Sequence, residues 1–396
     1  MSPLVIQSIL WAAAAVVALP VLVLFIEVLA ATGKGAAPAL SPRKGRLAVL
    51  IPAHDEEQGI ARTIGALLPQ LIPGDRLVVV ADNCSDATAA KAAAAGATVL
   101  ERKEPERRGK GFALRFGLEK LAADPPDVMV FVDADTDADP GTLDALNRWA
   151  TALGKPVQAV NLLQAPPDAG MKSHVSALAF GVKNLVRPRG LRRLGLPCPL
   201  LGTGMAIPWA LLDPARLSGG NIVEDLQLGI DLAIAGHPAV LCEDARVSGF
   251  LPSGDSAAAV QRRRWEHGHL RTLLTQAPRL AAASLTKLKP GLLAMALDLA
   301  VPPLSFLCLL WALVFAGTAF AARRGYDVRP LLASSGTGLL LAISVLLAWA
   351  CHLRRQIPFR ALMFVPFYVA WKVPLYLGFL LFRRQKSWVR TPREVG

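Results

Sequence analysis

The sequence predicts an α/β domain of parallel βαβ units set between hydrophobic segments, and three observations lead there. Short apolar runs alternate with stretches of helical spacing between residues 33 and 290. Long, nearly uncharged apolar runs lie on both sides of that stretch. Acidic residues recur just past the ends of the predicted strands.

The first apolar run, Leu4 to Ala31, carries only Glu27 as a charge. No positive charge precedes it and it outlasts a signal-peptide core, so residues 1–32 are read as an uncleaved membrane anchor. Lys34, Arg43, Lys44 and Arg46 follow at once, which predicts a cytosolic face for the next domain. Gly291 to Ala322 carries only Asp298, Leu331 to Cys351 carries no charge, and Ala361 to Phe382 carries only Lys372. Such runs reach the roughly 20 residues that cross a bilayer. With 53% hydrophobic residues and a mean hydropathy of +0.41, the expected location is the inner (plasma) membrane, multi-pass, with the catalytic domain in the cytosol.

Within the central stretch, Leu47–Ile51, Leu77–Val80, Ala97–Leu100 and Val128–Val132 read as strands. Glu57–Leu71, Asp86–Ala95 and Gly111–Leu121 read as the helices between them. Strands alternating with helices imply a parallel sheet whose ligands bind beyond the strands' carboxyl ends. Further on, Val157–Leu163 reads as a strand and Met171–Val186 as a helix. Arg187–Pro199 reads as a basic segment broken by Pro and Gly. Leu201–Pro208 reads as a turn plus strand, Val223–Ala235 as a helix and Ser256–Gln276 as a basic amphipathic helix. The expected domains are 33–255 for the α/β unit, 256–290 for interfacial helices, 291–382 for membrane or interfacial helices and 383–396 for a cytosolic tail.

The net charge of +13 is concentrated beside the apolar runs, in Arg187–Arg193, Arg262–Arg264 and Arg383–Arg393 among others. That placement suits lipid headgroups and diphosphates and argues against nucleic acid. The five cysteines form no Cys-x-x-Cys pair, so neither a zinc site nor a disulfide framework is expected.

Asp133-Ala134-Asp135 follows a buried strand. Two carboxylates one residue apart can hold Mg²⁺ or Mn²⁺ while the ion clamps a diphosphate. Asp82 follows strand two, where it can accept the imide N–H of a uracil-type base or cap the next helix. Ala53, His54 and Glu56 follow strand one as the matching half of a nucleotide pocket. Lys110 opens a helix behind Gly109, as an anion seat or a solvated turn. Glu224 and Asp225 lead a helix, where they either offset its dipole or supply a general base for an attacking hydroxyl; Asp225 is the candidate base. Gly202, Thr203 and Gly204 either admit an acceptor close to the backbone or form a plain turn. Gln261, Arg264 and Trp265 can bind diphosphate oxygens and stack on a sugar ring, or lie on anionic lipid. His267 and His269 are assigned nothing.

As a set, these residues resemble the membrane-bound family-two glycosyltransferases of GT-A fold, in particular the branch of cellulose, hyaluronan and chitooligosaccharide synthases. The resemblance covers roughly residues 46 to 270 and rests on Asp82, Asp133 with Asp135, Asp225, and Gln261, Arg264 and Trp265. It implies an inverting, metal-dependent transferase that uses a nucleotide-sugar (a UDP-sugar, on the uracil reading of Asp82) to extend a cell-surface polysaccharide or exopolysaccharide. Asp225 is then the base and Trp265 lies beneath the acceptor. Trp388, Arg390 and Thr391 resemble a gating segment that closes over the donor.

The short set of spans departs from the polymer synthases. A single addition to a polyprenyl-diphosphate-linked acceptor is therefore the alternative, with Arg187, Arg189, Arg192 and Arg193 meeting the lipid diphosphate. A catalytically inactive scaffold of a polysaccharide-assembly complex is the third reading. The expected partners are the donor, a glycan or lipid-linked acceptor, membrane lipids, and assembly or export proteins. The charge rule further suggests that residues 361–382 lie in the membrane interface without crossing.

Overall fold

The computed structural model describes residues 2–35, 40–166, 168–214, 224–251 and 255–381. The first apolar run is one helix, α1 (Pro3–Ala31), whose N-terminus is capped by the Ser2 hydroxyl. The parallel units follow as β1 (Leu47–Ala53), α2 (Ile60–Leu67), β2 (Arg76–Asp82), α3 (Thr88–Ala94), β3 (Thr98–Arg102), α4 (Lys110–Leu121) and β4 (Val128–Phe131). Next come β5 (Asp137–Ala138), α5 (Thr142–Leu153), β6 (Val157–Gln164), α6 (Met171–Gly181), α7 (Arg187–Arg193), β7 (Met205–Pro208), α8 (Glu224–Ala235) and β8 (Val240–Phe250).

One eight-stranded sheet has the order β3-β2-β1-β4-β7-β6-β8-β5. Strands β3, β2, β1 and β4 are parallel, so their carboxyl ends share one edge. β7 pairs antiparallel with both β4 and β6, and β6 runs parallel to β8. The period-two alternation of β1 divides the core. Val49 and Ile51 pack with Ile64 of α2 and Trp149 of α5. Ala48 and Leu50 pack with Leu114 and Leu118 of α4, in a cluster that also takes in Val21 and Leu24 of α1.

Beyond the sheet lie α9 (Asp255–Lys287), α10 (Pro290–Ala300), α11 (Leu304–Arg323), α12 (Arg329–Ala348), α13 (Arg360–Met363), α14 (Val365–Trp371) and α15 (Val373–Leu381). Among the described residues, three helices are long and apolar enough to cross a membrane: Pro3–Ala31, Leu304–Arg323 and Arg329–Leu353.

Several expectations need correcting. Arg187–Pro199 is not broken at its start. The chain runs from α6 through a wide π turn (Val182–Val186) straight into α7. Pro188 falls in the first turn of α7, and Gly190 lets that helix press against the Glu27 backbone of α1, where a Cβ would collide. The apolar stretch Gly291–Ala322 is two helices, because Pro302 and Pro303 interrupt it. α9 outruns its expected end at Gln276 by reaching Lys287 through Pro278. Residues 360–381, expected not to cross, need no such correction: they form three short helices, two of which begin at Val365-Pro366 and Val373-Pro374.

Candidate active site

The shared carboxyl edge brings the predicted acidic clusters together. β1 ends at Ala53, which is buried. His54 Nδ1 lies 2.7 Å from the Asp82 carbonyl oxygen, and the Glu56 N–H donates to Thr88 Oγ1 at 2.7 Å. Asp55 and Asn83, just past β1 and β2, both hold left-handed backbone (φ 52° and 51°). Such conformations cluster at ligand clamps, and Asp and Asn tolerate them best.

Asp82 is only 5% exposed, and its Oδ1 accepts from Arg102 Nη1 at 2.5 Å and Asn83 Nδ2 at 2.9 Å. Burial raises its carboxyl above the ordinary value, opposed by the Arg102 hydrogen bond and charge. Arg102, at the end of β3, was not singled out in the sequence. Its partner in the register of β2 and β3 is Asp82 itself.

Past β4, Lys110 at the start of α4 contacts Asp133 Oδ1 and donates to the Gly202 carbonyl oxygen at 2.8 Å. Burial raises the Asp133 carboxyl above its ordinary value. The Lys110 charge opposes this, and Asp135 and Asp225 add to it. Gly202 adopts φ 88°, and a Cβ there would lie 2.5 Å from Asp225 Oδ2. The Asp225 carboxylate is thus seated against the same turn that Lys110 ties to Asp133. Asp133 and Asp135, one residue apart in this cavity, offer carboxylate oxygens of the kind hard divalent cations take. Asp133 and Asp135 fit Mg²⁺ or Mn²⁺.

The Gly202–Gly204 turn does not act as one unit. Thr203 is buried, and its hydroxyl accepts from the Asp133 N–H at 3.1 Å while donating to Thr136 at 3.3 Å. It holds the Asp133 backbone in place while also lining the cavity. Gly204 (φ 66°) faces the core, where a Cβ would lie 2.8 Å from Val247 and 2.9 Å from Ala159. Unlike Gly202 and Thr203, which were expected with it at the acceptor, Gly204 does not line the cavity and serves as a packing glycine.

Gln261, Arg264 and Trp265 of α9 line the same cavity as Lys110, Asp133 and Asp225, a space of about 380 Å³. Trp265 packs on Phe180 of α6 with centroids 5.7 Å apart. Lys183, Asn184, Glu266 and Tyr368, none of them singled out in the sequence, also line the cavity, together with Arg262 of the basic run and His269, which was assigned nothing. Lys183 sat unmarked in an apolar helical pattern, and nothing in the sequence brings it to Asp225.

The arginines expected at a lipid diphosphate have other partners. Arg187 donates to Glu27 Oε2 at 2.8 Å and Asp298 Oδ1 at 2.6 Å. Arg189, Arg192 and Arg193 all pair with Glu243, whose carboxyl they hold below its ordinary value against the opposing effect of burial. The Glu224 side chain lies outside the described residues, as do Trp388, Arg390 and Thr391.

A family model described as "Glycosyltransferase like family 2" matches residues 42–268. Glucosyl-3-phosphoglycerate synthase of Mycolicibacterium paratuberculosis is 41% identical over 96 residues, which is 22% of this chain and 28% of that protein. The enzyme of that name from Mycobacterium tuberculosis (strain CDC 1551 / Oshkosh) is 38% identical over 96 residues, with the same shares. The chain thus spans little more than a quarter of the curated relatives it matches. Among solved structures, a mannosyltransferase from Pyrobaculum calidifontis in complex with GDP-Man and Mn²⁺ is similar in fold. It has a TM-score of 0.57 and 20% identity, covering 95% of this chain and 99% of that one. The family match takes in β1 to β8 and the start of α9, and with it Asp82, Asp133, Asp135, Asp225 and the Gln261–Trp265 motif; the chain belongs to the glycosyltransferase-like family 2.

Proposed function

We propose that this protein transfers a sugar from a nucleotide-sugar to a hydroxyl acceptor, with inversion, at the cytosolic face of a membrane. The observation that carries this reading is the meeting of Lys110, Asp133 and Asp225 at Gly202. It places a cation, a metal-type carboxylate and a candidate base around one small space. Asp225 takes the acceptor's proton as the acceptor oxygen bonds to the anomeric carbon. The bond from that carbon to the diphosphate breaks in the same step, and the nucleoside diphosphate leaves with the electron pair. A divalent cation on Asp133 and Asp135 would neutralise charge on that leaving group. Asp82 with Arg102, and the loop from Ala53 to Glu56, receive the nucleotide's base end, while Gln261 and Arg264 face the diphosphate.

The mannosyltransferase relative holds GDP-Man and Mn²⁺, which supports a nucleotide-sugar and a divalent ion here. The three long apolar helices support a membrane setting. The acceptor is a growing cell-surface glycan, as in the polymer-synthase branch, or a lipid-linked molecule given one sugar. The test is nucleoside-diphosphate release by the protein in lipid nanodiscs, over a panel of nucleotide sugars with Mg²⁺ or Mn²⁺ and membrane lipid extract. Release with one donor, abolished by EDTA, is expected, and sizing the product separates polymer from single addition. No release and no nucleotide binding across the panel would overturn the reading.

A further inference from the structure

The cavity continues past Asp225 into a space between α1, the π turn, α9 and α10, and its polar groups there are not used by the donor chemistry. Two cations stand out. Lys183, in the π turn, is exposed to the water of the cavity it lines. It makes no hydrogen bond or ion pair with any described residue. Arg262 of α9 is 8% exposed and lies over the Trp371 ring at 5.1 Å. Its Nη2 is buried without a hydrogen-bond partner, and no acid pairs with it among the described residues.

Enclosed charges in folded proteins are paired, because desolvation costs several kcal/mol per ion otherwise. Among the described residues, neighbouring charges at this end are paired. Asp298 and Glu27 share Arg187, and Glu266 contacts Lys372. Asn184 adds a buried side-chain oxygen with no partner, and a π turn inside a helix is a frequent mark of a functional site. Burial and the Arg187 charge pull the Lys183 ammonium below its ordinary value, a shift that a bound anion would reverse.

The position of this end relative to the donor is set by Asp225. Lys183 senses Asp225, Asp298 and Glu266, while Asp133 senses Lys110, Asp135 and Asp225. Asp225 is common to both sets, and it lines the same cavity as Lys183, Asp133 and Asp135. Much of the wall beside these groups is hydrocarbon, from Leu24 of α1, Leu280 of α9, Met295 and Leu299 of α10 and Leu304 of α11.

On the transferase reading given above, we propose that Lys183 and Arg262 seat a phosphate group of the acceptor, and that the acceptor is a phosphoester carried on an apolar tail. A neutral glycan would leave the buried Arg262 guanidinium, and Lys183 beside the cavity's water, without an anionic partner among the described residues. A phosphate would pair them, while the apolar wall takes the hydrocarbon. Asp225 then meets the hydroxyl that attacks, on the donor side of that phosphate.

Equilibrium binding of radiolabelled farnesyl phosphate, farnesol and glycerol 3-phosphate to the detergent-purified full chain tests this without any turnover. Farnesyl phosphate is expected to bind at least about tenfold tighter than farnesol, as loss of one charged contact of about 1.4 kcal/mol or more implies. Lys183→Met and Arg262→Met should each remove that preference, and Lys183→Arg should keep most of it. Nucleoside-diphosphate binding by each variant reports that it is folded. Glycerol 3-phosphate binding as tightly as farnesyl phosphate would uphold the phosphate seat and assign it to a soluble phosphoester. Equal binding of farnesyl phosphate and farnesol to the unmodified protein overturns the proposal and needs no variant. So does a preference that survives both Met substitutions. If these fail while donor-dependent nucleoside-diphosphate release persists, the transferase reading stands and only the acceptor assignment falls. Phosphoester binding with no nucleotide binding would strike the transferase reading instead.

Discussion

Arg187 at the start of α7 donates to Glu27 of α1 and to Asp298 of α10, at 2.8 and 2.6 Å. All three residues are less than 9% exposed. The arginine therefore ties the first long apolar helix to the sheet domain and to the helix that follows α9. It also explains the only charge in each of two apolar runs, Glu27 and Asp298. Removing one member of a buried ion set costs more than removing all of them, because the survivors stay desolvated and unpaired. Arg187→Leu should destabilise the protein by about 3–5 kcal/mol. Combining it with Glu27→Gln and Asp298→Asn should recover much of the loss. Thermal unfolding in nanodiscs reads both, and a triple variant no better than Arg187→Leu alone would contradict the assignment.

Most of the parallel half of the sheet was legible in the sequence because β1, β2 and β4 are buried on both faces and read as unbroken apolar runs such as Leu47–Ile51. Asp82, Asp133 and Asp135 were legible with it, since the carboxyl edge of a parallel sheet is where ligands bind. β8 was not recognised, because Glu243, Asp244 and Arg246 interrupt its apolar pattern at the register shift between Ala159 and Val160 of β6. The helical course of Arg187–Arg193 was hidden by Pro188 and Gly190, each tolerated for a tertiary reason. The far end of the cavity was illegible for a different cause. Lys183, Arg262 and His269 are joined only by the packing of α6, the π turn and α9, and no local spacing encodes that.

Gly202 and Gly204 sit two residues apart and should respond differently to the same change. Both hold left-handed backbone, so an added Cβ strains each by about 1–3 kcal/mol. Gly202→Ala would also drive its methyl into Asp225 Oδ2. Turnover should then fall by more than tenfold while nucleotide affinity stays near that of the unmodified protein. Gly204→Ala would press on Val247 and Ala159 in the sheet, lowering the melting temperature more than it alters the rate per folded molecule. Rates normalised to nucleotide-binding sites separate the two, and equal effects on turnover would refute the division.

Asp225→Asn keeps the shape of the side chain and removes the base. General-base contributions run at about 10²–10⁴-fold, so nucleoside-diphosphate release should drop within that range. Binding of the nucleoside diphosphate with Mn²⁺ should persist, because Asp133 and Asp135 are untouched. Asp135→Asn should show the converse, with metal-dependent nucleotide binding itself weakened. If Asp225→Asn instead abolished Mn²⁺-dependent nucleotide binding, Asp225 would be a donor-side ligand and the base would have to be sought elsewhere.

His269 gives the protein a defined response to acid. Its Nε2 donates to the Val301 carbonyl oxygen at 3.1 Å, linking α9 to the break between α10 and α11. Burial, with Lys183 and Arg187 nearby, holds its pKa well below the ordinary 6.5. The unfolded chain protonates this histidine near 6.5 and the folded chain does not, so below that value the unfolded state binds more protons. Stability is therefore lost as pH falls from about 6.5 towards the lower folded value, at up to about 1.4 kcal/mol per pH unit from this one group. His269→Gln keeps an N–H donor for Val301 and removes the titration. Its melting temperature should fall less than that of the unmodified protein between pH 7.5 and pH 5.5. Parallel pH profiles for the two proteins would mean that His269 becomes protonated in the folded state, which its burial beside Lys183 and Arg187 opposes.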